Sequence, residues 1–229
     1  MAHPPTNFDL IVFDYDGTIC DTRRAISFSL KATFDYFNAV PPVESKRTSL
    51  ISKGISLEET LRLLNPELEQ SALSEWIRIY REIYRTEGEA YSTAFEGAGE
   101  ILGDLYRQCV KLVVISNKGI GAIEGSLQKL DLTQYTSLIL ADGVKTTAVL
   151  KMKPDPMIYN ELVRPQFPDV QSARTLMVGD TAADIRFAQN SGIRSCWAAY
   201  GYGARESCVK LGPDYIISRI RDLRDIVLK

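Results

Sequence analysis

Two carboxylates two residues apart, in Asp14-Tyr15-Asp16-Gly17-Thr18, stand at the end of the apolar run Phe8–Phe13. The run reads as a buried strand of a parallel sheet, and Gly17 ends it with a turn. Ligands of open α/β sheets gather at the carboxyl ends of the strands, which is where these side chains fall. Like charges this close are unfavourable unless a cation neutralises them or one of them is protonated. The pair therefore fits a hard, oxygen-bound metal such as Mg²⁺, an acid/base pair, or both. Two solvated loop aspartates capping the next helix are the alternative.

Three further segments carry chemistry-bearing residues just after apolar runs. Val113-Val-Ile-Ser116-Asn117-Lys118 ends in a hydroxyl and an amide that can hold a phosphoryl oxygen, or that can cap a helix. Lys151-Met-Lys153-Pro154-Asp155-Pro156 sets lysines before a helix start. Pro156 suits a first helical turn, and Lys153 offers a compact positive charge to an anion, or to solvent. In Met177-Val-Gly179-Asp180-Thr181-Ala-Ala-Asp184, Gly179 and Asp180 fall at a strand-to-helix turn. Asp184, four residues on, is placed to face the same side of that helix.

Composition removes several classes of function. The net charge of −2 and the lack of basic runs disfavour nucleic acid and anionic membrane as partners. No apolar segment approaches the roughly 18 residues of a membrane span. The first residues, Met1–Asn7, show no export signal. The only histidine, His3, is in a tail expected to be mobile, which argues against histidine triads and histidine-bound zinc. Cys20, Cys109, Cys196 and Cys208 are widely spaced, so free thiols in a reducing, cytoplasmic compartment are expected. Neither Gly-x-x-x-x-Gly-Lys nor Gly-x-Gly-x-x-Gly occurs, against a P-loop NTPase or a nicotinamide dehydrogenase.

The elements that must position these residues follow from periodicity. Strands are predicted at Phe8–Phe13, Val110–Ile115, Ser137–Ala141, Thr175–Val178, Arg194–Ala199 and Asp214–Ile217. Helical patterns lie near Gly97–Arg107, Ile120–Leu130, Pro156–Val163, Thr181–Ser191 and Arg219–Leu228. The alternation predicts an α/β fold, a Rossmann-like doubly wound, mainly parallel sheet with helices on both faces. The interval between the first two strands is far longer than a crossover needs, and reads as helical over Thr22–Phe37, Ser56–Leu64 and Ser71–Arg85. Ser56-Leu-Glu-Glu59 has the form of a capping box. Residues 21–92 are therefore expected to form an inserted helical domain on a core of residues 1–20 and 93–229.

Together, Asp14-x-Asp16-Gly17-Thr18, the strand ending in Ser116-Asn117, Lys153-Pro-x-Pro156 and Gly179-Asp180-Thr-x-x-Asp184 resemble the four ordered motifs of the haloacid dehalogenase-like hydrolases. The insert resembles the helical cap of the subfamily that contains phosphoglycolate phosphatase. The resemblance implies that Asp14 is a nucleophile forming an aspartyl-phosphate and that Asp16 is the general acid and base. It implies Mg²⁺ held by Asp14, the backbone carbonyl of Asp16, and Asp180. Ser116, with Asn117 beside it, would hold the phosphoryl group, within the loop of Gly17 and Thr18. Lys153 would offset anionic charge, and Asp184 would orient Lys153 or the metal's waters.

A closing cap would exclude water and choose the leaving group. Lys53-Gly54-Ile55 resembles the glycine-containing specificity loop of such caps, and Arg23 and Arg24 stand where they could meet a substrate carboxylate or solvent. Tyr200-Gly-Tyr202-Gly203 resembles a segment of phosphoglycolate phosphatases, or is only a turn. Asp16 disfavours the dehalogenating members and the phosphonoacetaldehyde hydrolases, and Ile26, where β-phosphoglucomutases carry His, disfavours that mutase. The expected function is a Mg²⁺-dependent phosphatase acting on a small phosphorylated metabolite, phosphoglycolate first. A nucleotidase, sugar phosphatase or pyrophosphatase is the alternative, and a non-catalytic ligand-binding scaffold the remoter one.

Overall fold

The computed structural model describes residues 6–145 and 150–228; His3 lies outside them. Six parallel strands form the main sheet: β1 (Leu10–Phe13), β4 (Lys111–Gly119), β5 (Leu138–Asp142), β6 (Thr175–Gly179), β7 (Arg194–Ala198) and β8 (Tyr215–Ile217). Their order is β5-β4-β1-β6-β7-β8. The chain moves outward from β1 to β4 and β5, then returns to the other side of β1 through β6. The reversal leaves a crevice beyond the carboxyl ends of β1, β4 and β6, the place where doubly wound sheets bind ligands.

Both faces of the sheet are covered, which is why its strands are continuous apolar runs. Ile11, Phe13, Val114 and Val178 point to one side, where they pack against α5 (Ala98–Arg107), α6 (Ile120–Lys129) and α9 (Leu223–Val227). Leu10, Val12, Val113 and Met177 point to the other, against α7 (Ala182–Ser191) and the π-helical segment Tyr159–Val163. That segment stands where an ordinary helix is predicted over Pro156–Val163. A short helix α8 (Arg205–Lys210) precedes β8. The helix predicted over Arg219–Leu228 is instead a 3₁₀ turn, Ile220–Asp222, followed by α9.

The insert is helical. β2 (Cys20–Asp21) and β3 (Thr93–Ala94) pair antiparallel and carry the chain out of the core and back. Between them lie α1 (Arg23–Tyr36), α2 (Glu44–Ile51), α3 (Leu57–Leu64) and α4 (Gln70–Thr86). Leu30, Phe34, Leu61, Leu64, Leu73 and Trp76 close a core of their own, separate from those of the sheet. The Ser56 hydroxyl accepts the Glu59 amide at 3.2 Å and starts α3. α2 was absent from the periodicity: Pro41 and Pro42 precede it, Glu44, Lys46 and Arg47 interrupt it, and only Arg47, Leu50 and Ile51 are buried. No helix among the described residues is long and apolar enough to cross a membrane.

Candidate active site

The strand ends bring four of the predicted residues to one point. Asp14 continues β1, its amide donating to the Val178 carbonyl at 2.8 Å. Asp180 follows β6 directly, and Asp184 sits in the first turn of α7. One carboxylate oxygen from each of Asp14, Asp180 and Asp184 lies within 4.8 Å of the other two, and all three residues are buried. Lys153 completes the group: its ammonium donates to Asp14 Oδ1 at 2.7 Å and to Asp184 Oδ1 at 2.6 Å.

Three buried carboxylates against one ammonium leave an excess of negative charge. Burial pushes the Asp14 carboxyl up, to about 7, against the pull of Lys153. Burial and the neighbouring Asp14 and Asp184 hold Asp180 well above the usual carboxylate range. Burial would push the Lys153 ammonium down, but Asp14 and Asp184 outweigh it and keep the group charged. The donor set fits a hard divalent cation such as Mg²⁺, which would discharge this excess through oxygen ligands. Asp184 has little left to give: its Oδ1 takes Lys153, and its Oδ2 takes the Thr181 amide at 2.9 Å and the Thr181 hydroxyl at 2.7 Å. Asp180 Oδ2 accepts the Tyr202 amide at 2.6 Å, leaving Oδ1 with only a long 3.4 Å contact from Thr18. The oxygens still open to an ion are thus on Asp14 and Asp180.

Gly17 and Thr18 lie against Asp180, outside the lining of the cleft. Gly17 has φ +78, and a Cβ there would collide with Asp180 Oδ2. A Cβ on Gly201 would also meet the Asp180 side chain, and the Gly17 carbonyl with it. These two glycines let the backbone close around one buried carboxylate.

Asp16 lines the same cleft as Asp14 but is not bonded to the carboxylate cluster. Its Oδ1 accepts the Thr22 hydroxyl at 2.6 Å and the Lys118 ammonium at 3.1 Å. Lys118 comes from an irregularity in β4: Ser116 pairs with Ala141 and Gly119 with the next residue, Asp142, so Asn117 and Lys118 leave the ladder. Such a bulge re-aims side chains. Ser116, in the ladder, lines the cleft beside Asp14. Asn117 Nδ2 donates to the Gly54 carbonyl at 2.7 Å and to the Lys153 carbonyl at 3.2 Å, joining the cap loop to the core.

α4 closes over this floor. The Lys118 ammonium lies 3.9 Å from the centre of the Tyr84 ring. Arg81 reaches Asp142 at 2.6 Å, both about half exposed, so that latch is worth about 1 kcal/mol or less. Of Lys53-Gly54-Ile55, Gly54 and Ile55 line the cleft; Lys53 is exposed and outside its lining. Arg23 stacks over Tyr202 and Arg24 over Tyr91, so neither lines the cleft.

Two residues were given no role by the sequence. Lys118 closes the run Val113–Lys118, in which only Ser116 and Asn117 carry an expected role. Tyr202 belongs to the segment that resembles one of phosphoglycolate phosphatases or is only a turn. Its hydroxyl accepts the amides of Thr22 at 2.5 Å and Arg23 at 2.9 Å, and donates to Asp21 Oδ1 at 2.8 Å. It thereby caps α1, whose N-cap residue makes no side-chain cap of its own. No local signal announces a cap supplied from 180 residues away.

A doubly wound sheet with three carboxylates and a lysine at its switch point, under a helical cap, defines a class. The sequence matches the family described as haloacid dehalogenase-like hydrolase over residues 11–198, and the chain belongs to that family. It is 26% identical over 220 residues to the pyrophosphatase PpaX of Halalkalibacterium halodurans, covering 95% of each chain. It is 27% identical over 233 residues to a phosphoglycolate phosphatase of Vibrio vulnificus, covering 96% of each. A subfamily IA hydrolase of the same superfamily from Geobacter sulfurreducens shares the fold, with a TM-score of 0.71 at 20% identity over 99% of each chain. The chain is accordingly a haloacid dehalogenase-like hydrolase by family.

Proposed function

We propose that the protein is a Mg²⁺-dependent phosphomonoesterase working through an aspartyl-phosphate on Asp14, with residues 21–92 as its closing cap. The observation that supports this best is the buried cluster of Asp14, Asp180, Asp184 and Lys153, open to the cleft at Asp14. Asp14 and Asp180, with the backbone carbonyl of Asp16, would hold Mg²⁺, which supplies charge neutralisation at the transferring phosphoryl group.

The chain's own residues then divide the reaction in two. Asp14 attacks phosphorus, the bond to the leaving oxygen breaks, and Asp16 gives that oxygen a proton. In the second step Asp16 removes a proton from water, the water oxygen attacks phosphorus, and the Asp14 carboxylate leaves with release of inorganic phosphate. Lys153 keeps its charge beside Asp14, so that one anion can approach another, and Ser116 donates its hydroxyl to a phosphoryl oxygen. Thr22 and Lys118 hold Asp16 in place from the cap linker and from the β4 bulge. General acid/base catalysis at Asp16 is worth roughly 10²–10⁴-fold.

The names of the relatives put phosphoglycolate first among substrates to try, with pyrophosphate, nucleoside monophosphates and sugar phosphates beside it. The test is phosphate release from p-nitrophenyl phosphate with Mg²⁺, with a chelator, and with Asp14→Asn. Activity is expected only in the first. Turnover by Asp14→Asn would rule out the covalent route, and turnover after thorough chelation would remove the metal.

A further inference from the structure

The cleft between cap and core has a volume of about 630 Å³. That lies within the range of about 300–1,000 Å³ that accommodates drug-sized ligands, far more than a phosphorylated two-carbon acid fills. Its two walls differ in chemistry. The floor carries the charged groups already described. The roof, contributed by the cap, presents Ile26, Leu50, Ile55, Tyr80 and Tyr84, with the charged side chains of α4 and Glu89 also on the cleft.

The cations that reach the cleft are mostly matched already. Lys153 is shared by Asp14 and Asp184, and Lys118 is held by Asp16. Arg81 pairs with Asp142, and Arg78 pairs with Glu75 and Glu82 along α4. Only Arg85, exposed at the rim, has no ion-pair partner among the described residues, and Glu89 on the same cleft has none either. A carboxylate on the leaving group would thus find no unpaired cation but the exposed Arg85, and against the hydrocarbon and tyrosine surface of the roof it would pay its own desolvation. A hydrocarbon group would bury apolar surface there with no such cost.

We infer that the ester hydrolysed at this site carries its phosphate on an alcohol with a flat or branched hydrocarbon group, larger than a two-carbon acid and uncharged. This rests on the phosphomonoesterase reading above, but not on phosphoglycolate as the substrate. The phosphate would sit on the floor at Asp14 and Lys153, and the hydrocarbon group would lie against Tyr80, Tyr84 and Ile55.

The test compares three esters on the wild-type protein with Mg²⁺: ethyl phosphate, 2-phenylethyl phosphate and phosphoglycolate, with pyrophosphate alongside. Ethanol and 2-phenylethanol are of similar acidity, so their ratio reads the roof and not the leaving group. In an apolar pocket one methylene is worth about 10–200-fold in kcat/KM. 2-Phenylethyl phosphate is therefore expected to exceed ethyl phosphate, and also phosphoglycolate, by at least about tenfold. Ile55→Arg, a loop substitution that adds a cation to the roof, is expected to cut the ratio of 2-phenylethyl phosphate to phosphoglycolate by at least about tenfold. A variant that fails to fold leaves the wild-type ratios to decide. Asp14-dependent turnover that favours phosphoglycolate or pyrophosphate, or that treats the two alkyl esters alike, overturns this inference and leaves the phosphatase standing. Absence of Asp14-dependent turnover of every ester overturns both.

Discussion

Replacing Lys153 by Met removes the one cation of the carboxylate cluster while keeping the volume of the side chain. The Lys153 side chain is only 3% exposed, and it donates to Asp14 and Asp184 at 2.7 and 2.6 Å. At an effective dielectric of about 20, each contact represents about 6 kcal/mol of gross attraction, much of it offset by desolvation. Breaking a buried pair by removing one partner costs about 3–5 kcal/mol net. A change of 1 kcal/mol shifts Tm by about 2–4 °C in chains of this size, so metal-free Lys153→Met should melt roughly 6–20 °C below wild type at about pH 8. The deficit has a defined pH dependence. Without Lys153 the Asp14 carboxyl loses the cation that pulls it down, and below its raised value of about 7 it is neutral in both proteins, so its share of the difference shrinks and the deficit should be smaller at about pH 5. Loss of the same charge from the transition state should lower kcat by about 10²–10³-fold. Melting by circular dichroism at both pH values, with p-nitrophenyl phosphate turnover, reads all three effects. A variant that melts within about 1 °C of wild type at the higher pH, or whose deficit does not shrink on acidification, refutes the reasoning.

Three other perturbations test separate parts of the site. The Asp14 carboxyl, raised by burial from 3.8 to about 7, holds a proton in the folded metal-free protein that the unfolded chain has released, so its contribution to stability falls as pH rises between those values. Asp14→Asn should remove that loss, melting above wild type in chelator at about pH 8 and by a smaller margin at about pH 5, and Mg²⁺ should narrow the gap. Gly17→Ala forces a Cβ onto Asp180 at φ +78 and should weaken Mg²⁺ binding about 10–100-fold by calorimetry; unchanged affinity would mean that Asp180 is not a ligand. Tyr202→Phe leaves the Thr22 and Arg23 amides without their acceptor and should destabilise the protein by about 1–3 kcal/mol in urea melts, whereas wild-type stability would show that water replaces the hydroxyl.

The core was legible because of how parallel sheets are built. Strands covered on both faces must be apolar at every position, so Leu10–Phe13 and Thr175–Gly179 stood out as runs, and the polar residues that interrupt them fell at the crevice. The long interval after β1 announced an insert for the same reason: no strand pattern lay within it. What escaped depends on contacts distant in sequence. α2 is held by neighbours and not by its own periodicity. Lys118 gains its partner Asp16 only because β4 bulges, and Tyr202 caps a helix that begins at Arg23. Lys53 shows the converse. A motif located the loop, but the backbone turn at Gly54, φ +65, set which of its side chains faces the cleft. The spacing of Asp184 from Asp180 put it on one side of its helix, but that its two oxygens are consumed by Lys153 and Thr181 only the folded geometry reveals.

The central claim is that Asp14 carries the phosphoryl group between substrate and water. Borohydride added during steady-state turnover reduces an acyl phosphate to an alcohol and so converts the aspartate that carries it to homoserine. Peptide mass spectrometry should find homoserine at position 14, only with substrate and Mg²⁺ present. Undiminished turnover with no reduction at Asp14, or reduction at another carboxylate, would contradict the account.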